Sequence, residues 1–404
     1  MRYSQAFPKT LKNAPKDAVT VNHKLLVRAG FVDQLMAGSW TLLPLGWRVV
    51  SKITQIIREE MNAIGCQEML MPLLHPKEIW NQTGRWDAAD EIMYKIQDTR
   101  NKREYALSFT HEEIVMDLVK KHIKSYKDLP LNVYHFSTKF RNELRAQGGI
   151  LRGREFLMKD AYSLHVSEED LLVWYEKYKQ AYLKIFKRMG LVVYVTEASG
   201  GVFTHKHTHE FQVEAEAGED TIYIKPGTRE GYNKEVLEGD VKQFEIKRSI
   251  EVGNIFPLGK MYSEKMGAGF VDADGSKKPI WFGSYGIGPT RVMGTIVEVS
   301  HDERGIIWPK SVAPYDVHLV TLGGNRELID KSHEIYEKLW GEGVEVLWDE
   351  TDRSAGEKLA DADLIGIPVR LVVSEKTGDK IEWKERGKTE TLLLDLDQVY
   401  LKPK

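Results

Sequence analysis

The chain has 404 residues, enough for more than one domain, and its 42% apolar and 29% charged side chains are typical of a globular protein. Its single cysteine, Cys66, excludes internal disulfides and a zinc site built from cysteines. The net charge of -3 gives no sign of nucleic-acid binding, but it permits a local basic surface. No apolar run approaches the roughly 18 residues that span a bilayer, and the N-terminus lacks the apolar core of a signal peptide. We therefore expect a cytoplasmic protein without membrane association.

The first strongly patterned element is a helix that follows Gly46. Apolar residues from Val49 to Ile64 recur at helical spacing, and Gly65 predicts the end of the helix. A strand over residues 66–72 is predicted next, closing at Pro72. Alone, this pattern indicates only an amphipathic helix that leads into a sheet.

A second junction lies at Thr110, where a predicted strand gives way to a helix over residues 112–122. The simplest interpretation of the Thr110 hydroxyl is that it caps the N-terminus of this helix. A further helix is predicted after Ser167, because Ser167 and Asp170 have the spacing of a capping box.

The most informative stretch is predicted to be a hairpin, with strands over residues 139–145 and 151–165 and a turn at Gly148 and Gly149. Alternation gathers arginines, one carboxylate and apolar or aromatic groups on its faces, namely Arg141, Glu143, Arg145, Arg152, Arg154, Phe156 and Met158. Guanidinium groups match phosphate oxygens, a carboxylate can accept from an exocyclic amine, and a ring can stack on a base. The hairpin therefore indicates a nucleotide site; a surface ribbon of salt bridges is the alternative.

Two later stretches have residue types that bind ligands. His205, His207 and His209 alternate, so on a strand they would share a face and could bind a metal ion, although the HExxH spacing is absent. Residues 281–291 are rich in glycine and end at Arg291, which could meet a phosphate at the start of the next helix. Alone, Arg291 would be interpreted as a surface arginine.

From Asp316 onward, strands and helices are predicted to alternate, which is typical of a separate α/β domain. A late strand is predicted to have basic side chains on one face, and these are Lys380, Lys384, Arg386 and Lys388. They could bind RNA, or they could be the charges that protect an edge strand from pairing.

In this order, the stretches resemble motifs 1, 2 and 3 of the class II aminoacyl-tRNA synthetases, in the form found in bacterial prolyl-tRNA synthetases. Motif 2 is matched by residues 140–143 and 154–162, and motif 3 by residues 281–291. The resemblance implies an α+β fold, with an antiparallel sheet flanked by helices over residues 1–310 and an α/β anticodon-binding domain over residues 311–404. It also implies a homodimer with Pro72 of motif 1 at the interface.

The resemblance further implies that the enzyme activates L-proline with ATP and Mg²⁺ and transfers it to tRNA(Pro). Its implied ATP-binding residues are Arg141, Glu143, Arg154, Phe156 and Arg291, of which Arg141 and Arg291 would be catalytic. Its implied proline-binding residues are Thr110, Glu112, Arg141, His209, Phe211 and Ser284. Its implied anticodon-binding residues are Lys380, Lys384 and Arg386.

Three points bear on this interpretation. The segment over residues 218–252 is too short for the editing domain that many bacterial relatives carry there, so we expect no editing in cis. A related binding protein without activity is a rival hypothesis, but such proteins tend to lose the phosphate arginines that are present here. Threonyl and histidyl enzymes are nearer rivals; the threonyl enzymes use zinc with a cysteine ligand, and Cys66 lies in motif 1.

Overall fold

The computed structural model describes residues 1–200 and 208–401. In this part of the chain the helices are α1 (Val21–Arg28), α2 (Pro44–Ala63), α3 (Lys77–Thr83), α4 (Arg85–Ala88), α5 (Glu112–His122), α6 (Glu168–Arg188), α7 (Met261–Met266), α8 (Pro289–Val299), α9 (Arg326–Gly341), α10 (Ala355–Ile365) and α11 (Leu396–Leu401). The strands are β1 (Val32–Met36), β2 (Ser39–Leu42), β3 (Gln67–Glu68), β4 (Leu74–Pro76), β5 (Lys95–Gln97), β6 (Glu104–Leu107), β7 (Leu131–Phe140), β8 (Glu155–His165), β9 (Tyr194–Ala198), β10 (Thr208–Glu214), β11 (Asp220–Ile224), β12 (Glu230–Asn233), β13 (Glu245–Gly259), β14 (Gly269–Val271), β15 (Lys277–Pro279), β16 (Trp281–Ile287), β17 (His301–Asp302), β18 (Gly305–Ile306), β19 (Val317–Leu322), β20 (Val346–Asp349), β21 (Val369–Ser374), β22 (Ile381–Glu385) and β23 (Leu392–Leu394).

The chain forms two compact units, and the larger one comprises residues 34–40 and 54–295. Within the described residues, its main sheet has nine strands in the order β10-β9-β12-β11-β13-β16-β8-β7-β3, and β10 also pairs with β13. Most neighbours are antiparallel; β12 with β9 and β3 with β7 are parallel. The predicted α+β class with a mainly antiparallel sheet is confirmed. Residues 218–252 contribute β11, β12 and the start of β13 to this sheet.

Strand register divides the side chains of this sheet between two faces. Tyr285 pairs with Ala161 and Ile255, and its ring stacks on Tyr178 of α6 with 3.6 Å between centroids. The face that contains Tyr285 is therefore covered by α6. Neighbouring residues on a strand point to opposite sides, so Ser284 lies on the other face, which we call the site face.

The helix predicted after Gly46 is confirmed as α2, but the strand predicted over residues 66–72 is mostly wrong. Only Gln67 and Glu68 pair, in parallel with β7, and the Met69 amide adds one more bond to this neighbour. Beyond that point the chain leaves the sheet, and the carbonyl of Pro72 accepts a hydrogen bond from the ring of His111 at 2.9 Å. The carbonyl of Pro72 thus bonds to a side chain rather than to a neighbouring strand.

The predicted hairpin is confirmed as β7 and β8, although both strands stop farther from the turn than predicted. Pairing ends at Phe140 and Glu155, so residues 141–154 form a loop rather than two strand ends. The Arg154 amide donates to the carbonyl of Gly38 at 2.7 Å, in the turn between β1 and β2, instead of continuing the ladder. The arginines of this 141–154 loop are therefore not sorted by strand alternation.

The second compact unit comprises residues 1–33, 41–53 and those from Ile296 onward. Its described part contains a five-stranded sheet in the order β20-β19-β21-β22-β23, in which β19 lies parallel to β20 and β21. The alternation of strands and helices predicted from Asp316 is confirmed. The start of the chain belongs to this unit, because the Trp348 amide of β20 donates to the carbonyl of Met1 at 2.9 Å.

Among the helices described, none combines the length and apolar character that crossing a bilayer requires.

Candidate active site

Two cavities that share lining residues open on the site face, with volumes of about 70 Å³ and about 210 Å³. Arg141, Glu251 and Arg291 contribute to both. Arg141 comes from the 141–154 loop and Arg291 from α8, so the fold brings together two guanidinium groups that are far apart in sequence. Both belong to the predicted nucleotide site.

The two arginines are held by backbone carbonyls rather than fully neutralised by carboxylates. Arg291 donates from Nε to Leu151 O at 2.9 Å, and its NH1 lies 3.4 Å from a Glu251 oxygen. Arg141 donates from Nε to Phe109 O at 3.4 Å. Desolvation, and then the positive charge of Arg291, lower the pKa of Arg141. Two partly unneutralised guanidinium groups in one cavity favour a polyanion such as a triphosphate.

An aromatic ring lies next to these charges. Phe156 and Met158 on β8 line the smaller cavity, together with the glycine backbone of Gly286 and Gly288. The guanidinium carbon of Arg141 lies 5.4 Å from the centre of the Phe156 ring. The structure therefore brings Phe156 into the same site as Arg141 and Arg291, where its ring could stack on a base.

The remaining predicted nucleotide contacts, Glu143 and Arg154, are placed differently from each other. Glu143 lines the larger cavity and accepts from Arg152 Nε at 3.0 Å. Arg154 lines neither cavity: its Nε donates to the carbonyl of Glu143 at 3.0 Å, and its NH1 donates to Ala37 O at 3.2 Å. The guanidinium of Arg154 thus fastens the loop in this structure, and its predicted contact with ATP stays a prediction.

A buried polar pocket surrounds the carboxylate of Glu112. Thr110 donates to Glu112 Oε2, and Ser284 donates to Oε1 at 3.0 Å. All three side chains are buried. The residue that caps α5 is His111, without a side-chain cap bond, so the alternative in which Thr110 caps the helix is wrong. The structure brings together Thr110, Glu112 and Ser284, as predicted for a proline site.

A buried arginine that no sequence motif predicts also belongs to this pocket. Arg85, 6% exposed, contacts Glu112 at 3.3 Å and Glu113 at 3.0 Å, and its NH1 donates to Tyr262 OH at 2.8 Å. Desolvation raises the pKa of Glu113. Two carboxyl groups thus share one guanidinium, an arrangement that leaves room for a second cation such as a protonated amine. Sequence gives little signal for Arg85, because its partners lie on α5 and α7.

His209 and Phe211 do not join this pocket. On β10 they pair with Ile255 and Gly253, which places them on the face covered by α6. Phe211 is fully buried, with its ring centre 5.1 Å from that of Tyr182, and Nδ1 of His209 lies 2.7 Å from Tyr175 OH. This register contradicts the prediction that the two side chains line an amino-acid pocket. The other members of the alternating histidine series, His205 and His207, lie outside the described residues.

The predicted anticodon contacts also separate into two groups. Arg386 is 6% exposed in its side chain and forms two 2.6 Å bonds to the carboxylate of Asp302. This pairing holds the pKa of Asp302 well below its usual range. Arg386 is therefore paired inside its own unit, although it also lines a cavity there, and its predicted contact with RNA stays a prediction. Lys380 is exposed, and Lys384 on β22 lines a cavity of about 250 Å³.

The sequence matches two family models. Residues 94–300 match the tRNA synthetase class II core domain (G, H, P, S and T), which includes the 141–154 loop, β16 and α8. Residues 316–402 match an anticodon binding domain.

Relatives and solved structures agree with these matches. The proline–tRNA ligase of Agrobacterium fabrum is 40% identical, covering 98% of this chain and 98% of the relative, and that of Nitrobacter winogradskyi is 42% identical with 96% of each covered. The prolyl-tRNA synthetase of Giardia lamblia in complex with prolyl-adenylate has a TM-score of 0.80 at 18% identity, covering 94% of this chain and 75% of that one. The Cryptosporidium parvum enzyme complexed with L-proline and AMP has a TM-score of 0.77 at 17% identity, covering 94% and 73%. The fold is thus shared with these structures, and by its sequence the chain belongs to the proline–tRNA ligase family of class II aminoacyl-tRNA synthetases.

Proposed function

We propose that this chain activates L-proline with ATP and transfers the prolyl group to tRNA(Pro). In the first step the proline carboxylate attacks the α-phosphate and expels pyrophosphate; in the second, a terminal tRNA hydroxyl attacks the prolyl-adenylate. One observation carries the proposal: the Glu112 pocket and the arginine cavity share the site face. Arg141 connects them, because its Nε donates to the carbonyl of Phe109, next to Thr110.

The roles of the residues follow from their charges and positions. Arg141 binds the proline carboxylate and the α-phosphate, and Arg291 binds the γ-phosphate. Phe156 stacks on the adenine ring, and Glu143 accepts from the adenine amine. Thr110 and Glu112 bind the secondary ammonium of proline, with Ser284 beside them. The reaction needs positioning and charge neutralisation more than a nucleophilic side chain, and these residues supply both.

The carboxylates of the larger cavity fit a magnesium ion. Glu219, Asp220 and Glu251 line it, and two of these carboxylates also contact arginines of the same cavity, Glu219 with Arg152 and Glu251 with Arg291. Desolvation, and then the charge of Glu251, raise the pKa of Asp220 and raise that of Glu210 to about 8. Crowded oxygen donors of this kind suit Mg²⁺, which would offset the phosphate charge. Glu251 and Asp220 are the residues that we expect to hold it.

We further propose that the enzyme is a homodimer and that it works in the cytoplasm, where protein synthesis takes place. Pro72 is exposed, and the nearby Leu70 and Leu74 are 80% and 50% exposed, which gives motif 1 an apolar surface for a second copy. Residues 218–252 are used by the main sheet, so we expect the chain alone not to hydrolyse alanyl-tRNA(Pro). Hydrolysis of that substrate by the purified chain would refute this expectation.

The proposal is tested by ATP–pyrophosphate exchange measured separately with each of the standard amino acids. We expect exchange that depends on proline. Exchange that depends on threonine or histidine instead would overturn the assignment of the amino acid, and the absence of any amino-acid-dependent exchange would favour a binding protein without activity.

A further inference from the structure

A buried polar cluster lies on the site face beside the Glu112 pocket and has no role in the chemistry above. Its members are fully or almost fully buried, and they are His111, His135, Lys139 and Asp160. Of the described residues, His111, His135 and Asp160 have ligand atoms within 4.8 Å of one another, close enough to hold a metal ion. In this structure, however, the side chain of Lys139 lies among these three groups.

The ammonium of Lys139 lies among these groups. Its Nζ is 2.7 Å from Asp160 Oδ2, 2.6 Å from Ser137 Oγ and 2.8 Å from His111 Nδ1. An ammonium has three hydrogens, and these three acceptors lie within 2.8 Å of it, while Nε2 of His135 is farther away at 3.3 Å. A metal ion would have to displace this cation. The chain thus supplies its own positive charge at the place where the two rings and the carboxylate meet.

The ammonium also fixes the orientation of the His111 ring. Because Nδ1 of His111 accepts from Lys139, the ring carries its proton on Nε2, which donates to the carbonyl of Pro72 at 2.9 Å. The His111 amide donates to Tyr162 OH at 3.2 Å, and that hydroxyl donates to Asp160 at 3.0 Å. His111 is therefore held through both ring nitrogens and through its backbone.

His111 stands between the two residues that we assign to the proline amine. Thr110 precedes it and Glu112 follows it, so any rotation of this backbone would move the hydroxyl and the carboxylate together. Resting on the proposed function, we infer that Lys139 is a positioning residue for proline recognition, which acts through the ring of His111 without touching the substrate.

The test compares Lys139→Met with the unaltered chain in ATP–pyrophosphate exchange. Loss of a charged hydrogen bond to His111 should raise the KM for proline by about tenfold or more, while the KM for ATP stays within about twofold. The matched control is Lys159→Met. Lys159 is equally buried on the same sheet but faces α6, where its Nζ lies 3.2 Å from Tyr285 O. This control should not change the ratio of the two KM values.

Removing Lys139 alone leaves the Asp160 charge buried without its partner, which can prevent folding. The double variant Lys139→Met with Asp160→Asn removes both charges and should show the same selective rise in the KM for proline. An unchanged KM for proline in the folded variant, or an equal rise in both KM values, would overturn the inference. Failure of the unaltered chain to exchange with proline would instead reject the proposed function.

Discussion

At the scale of single residues, the site is a balance between like charges held close together. Arg141 and Arg291 face one cavity as neighbouring cations, and Glu112 and Glu113 share the single cation of Arg85. Such arrangements cost free energy in the empty enzyme, which a ligand of opposite charge can offset. Negative phosphates would balance the two arginines, and the positive proline amine would balance the two glutamates.

Arg141→Ala should abolish proline-dependent pyrophosphate exchange, because Arg141 lines the proposed phosphate cavity and also contacts the carbonyl of Phe109, next to the Glu112 pocket. We expect a loss of at least about 10²-fold in kcat/KM, the usual cost of removing a group that stabilises developing charge. Arg145→Ala is the control, since Arg145 is exposed on the same loop. Retained exchange in the Arg141 variant would mean that the 141–154 loop does not bind ATP.

Arg85→Met should weaken both folding and proline binding. Its guanidinium contacts two buried carboxylates, so its removal should lower the free energy of unfolding by about 3–5 kcal/mol. In the fraction that folds, Glu112 loses one of its supports, and the KM for proline should rise more than the KM for ATP. Urea unfolding and exchange kinetics measure the two effects. A stability equal to that of the unaltered chain would show that the buried ion pair has been misread.

The resemblance to the synthetase motifs assigned Thr110, Glu112 and Ser284 to the proline site before the fold was known. Thr110 and Glu112 are two positions apart and Ser284 lies in a glycine-rich stretch, so short motifs were enough to locate all three. Arg386 could not be judged in this way. Strand alternation gives the face of a side chain, but it does not reveal that Asp302 already occupies this guanidinium. Nor does it show on which side of the sheet His209 lies.

At the scale of elements, the 141–154 loop is positioned by the turn between β1 and β2. The carbonyl of Gly38 accepts from the amides of Arg154 and Glu155, and Ser39 Oγ donates to the carboxylate of Glu155 at 3.0 Å. The sequence predicts hairpin strands that run too far toward the turn, because charges and alternation continue past Phe140. The docking of this turn, which ends the ladder, is a long-range contact that local patterns do not encode.

Gly38→Ala should impair ATP binding through this turn. Gly38 has a φ of +80°, and an added Cβ would lie 2.7 Å from the Cβ of Ala146 and 2.8 Å from the Arg154 amide. We expect the KM for ATP to rise several-fold while proline binding changes less. Gly227→Ala is the matched control: its φ of +73° imposes similar strain, but nothing lies within 4 Å. If both variants behave alike in exchange kinetics, the turn does not position the loop.

Strand β19 carries a buried histidine that should make folding sensitive to acid. Both ring nitrogens of His318 lack a hydrogen-bond partner within the described residues, and burial lowers its pKa from 6.5 to about 4. Between these values the unfolded chain binds a proton that the folded chain does not. Stability should therefore fall as the pH falls from 6.5 to 4.

The variant His318→Leu should reduce this loss by about 1–2 kcal/mol, measured by urea unfolding at several pH values. His333→Leu is the control, because His333 is 47% exposed in its side chain and lies on α9 of the same unit. An unchanged pH dependence in the His318 variant would show that the ring binds its proton equally well in the folded and unfolded chains.

At the scale of the whole molecule, an α/β region from residue 316 could be predicted because short, largely apolar strands alternate with helical stretches there. The boundary near residue 310 stays a prediction. The contacts add that the first residues of the chain belong with this region: Tyr3 OH donates to Asp361 at 3.0 Å, and Thr10 Oγ1 donates to the same carboxylate at 2.6 Å. A pairing between the start and the end of a chain leaves no local signal in the sequence.

Because tRNA binding and proline activation are assigned to different units, a substitution in one unit should change one of these activities and leave the other unchanged. Lys384→Ala should weaken the binding of tRNA(Pro) and so raise its KM in aminoacylation, while pyrophosphate exchange stays unchanged. The reason is that Lys384 offers a cation on β22 that a phosphate of the tRNA can reach. Removal of one phosphate contact should also make the plot of log binding constant against log salt concentration less steep, by about one in slope.

Arg386→Ala provides the contrast, since Arg386 is bound to Asp302 and to the carbonyl of Asp363. It should lower the unfolding temperature of the protein, and any loss of aminoacylation should follow that loss of stability rather than a change in the salt dependence of tRNA binding. Filter binding of tRNA(Pro) at several salt concentrations, together with thermal unfolding, distinguishes the two variants. If Arg386→Ala reduced the salt slope and left the unfolding temperature unchanged, its guanidinium would be a phosphate contact, contrary to the buried ion pair seen in the structure.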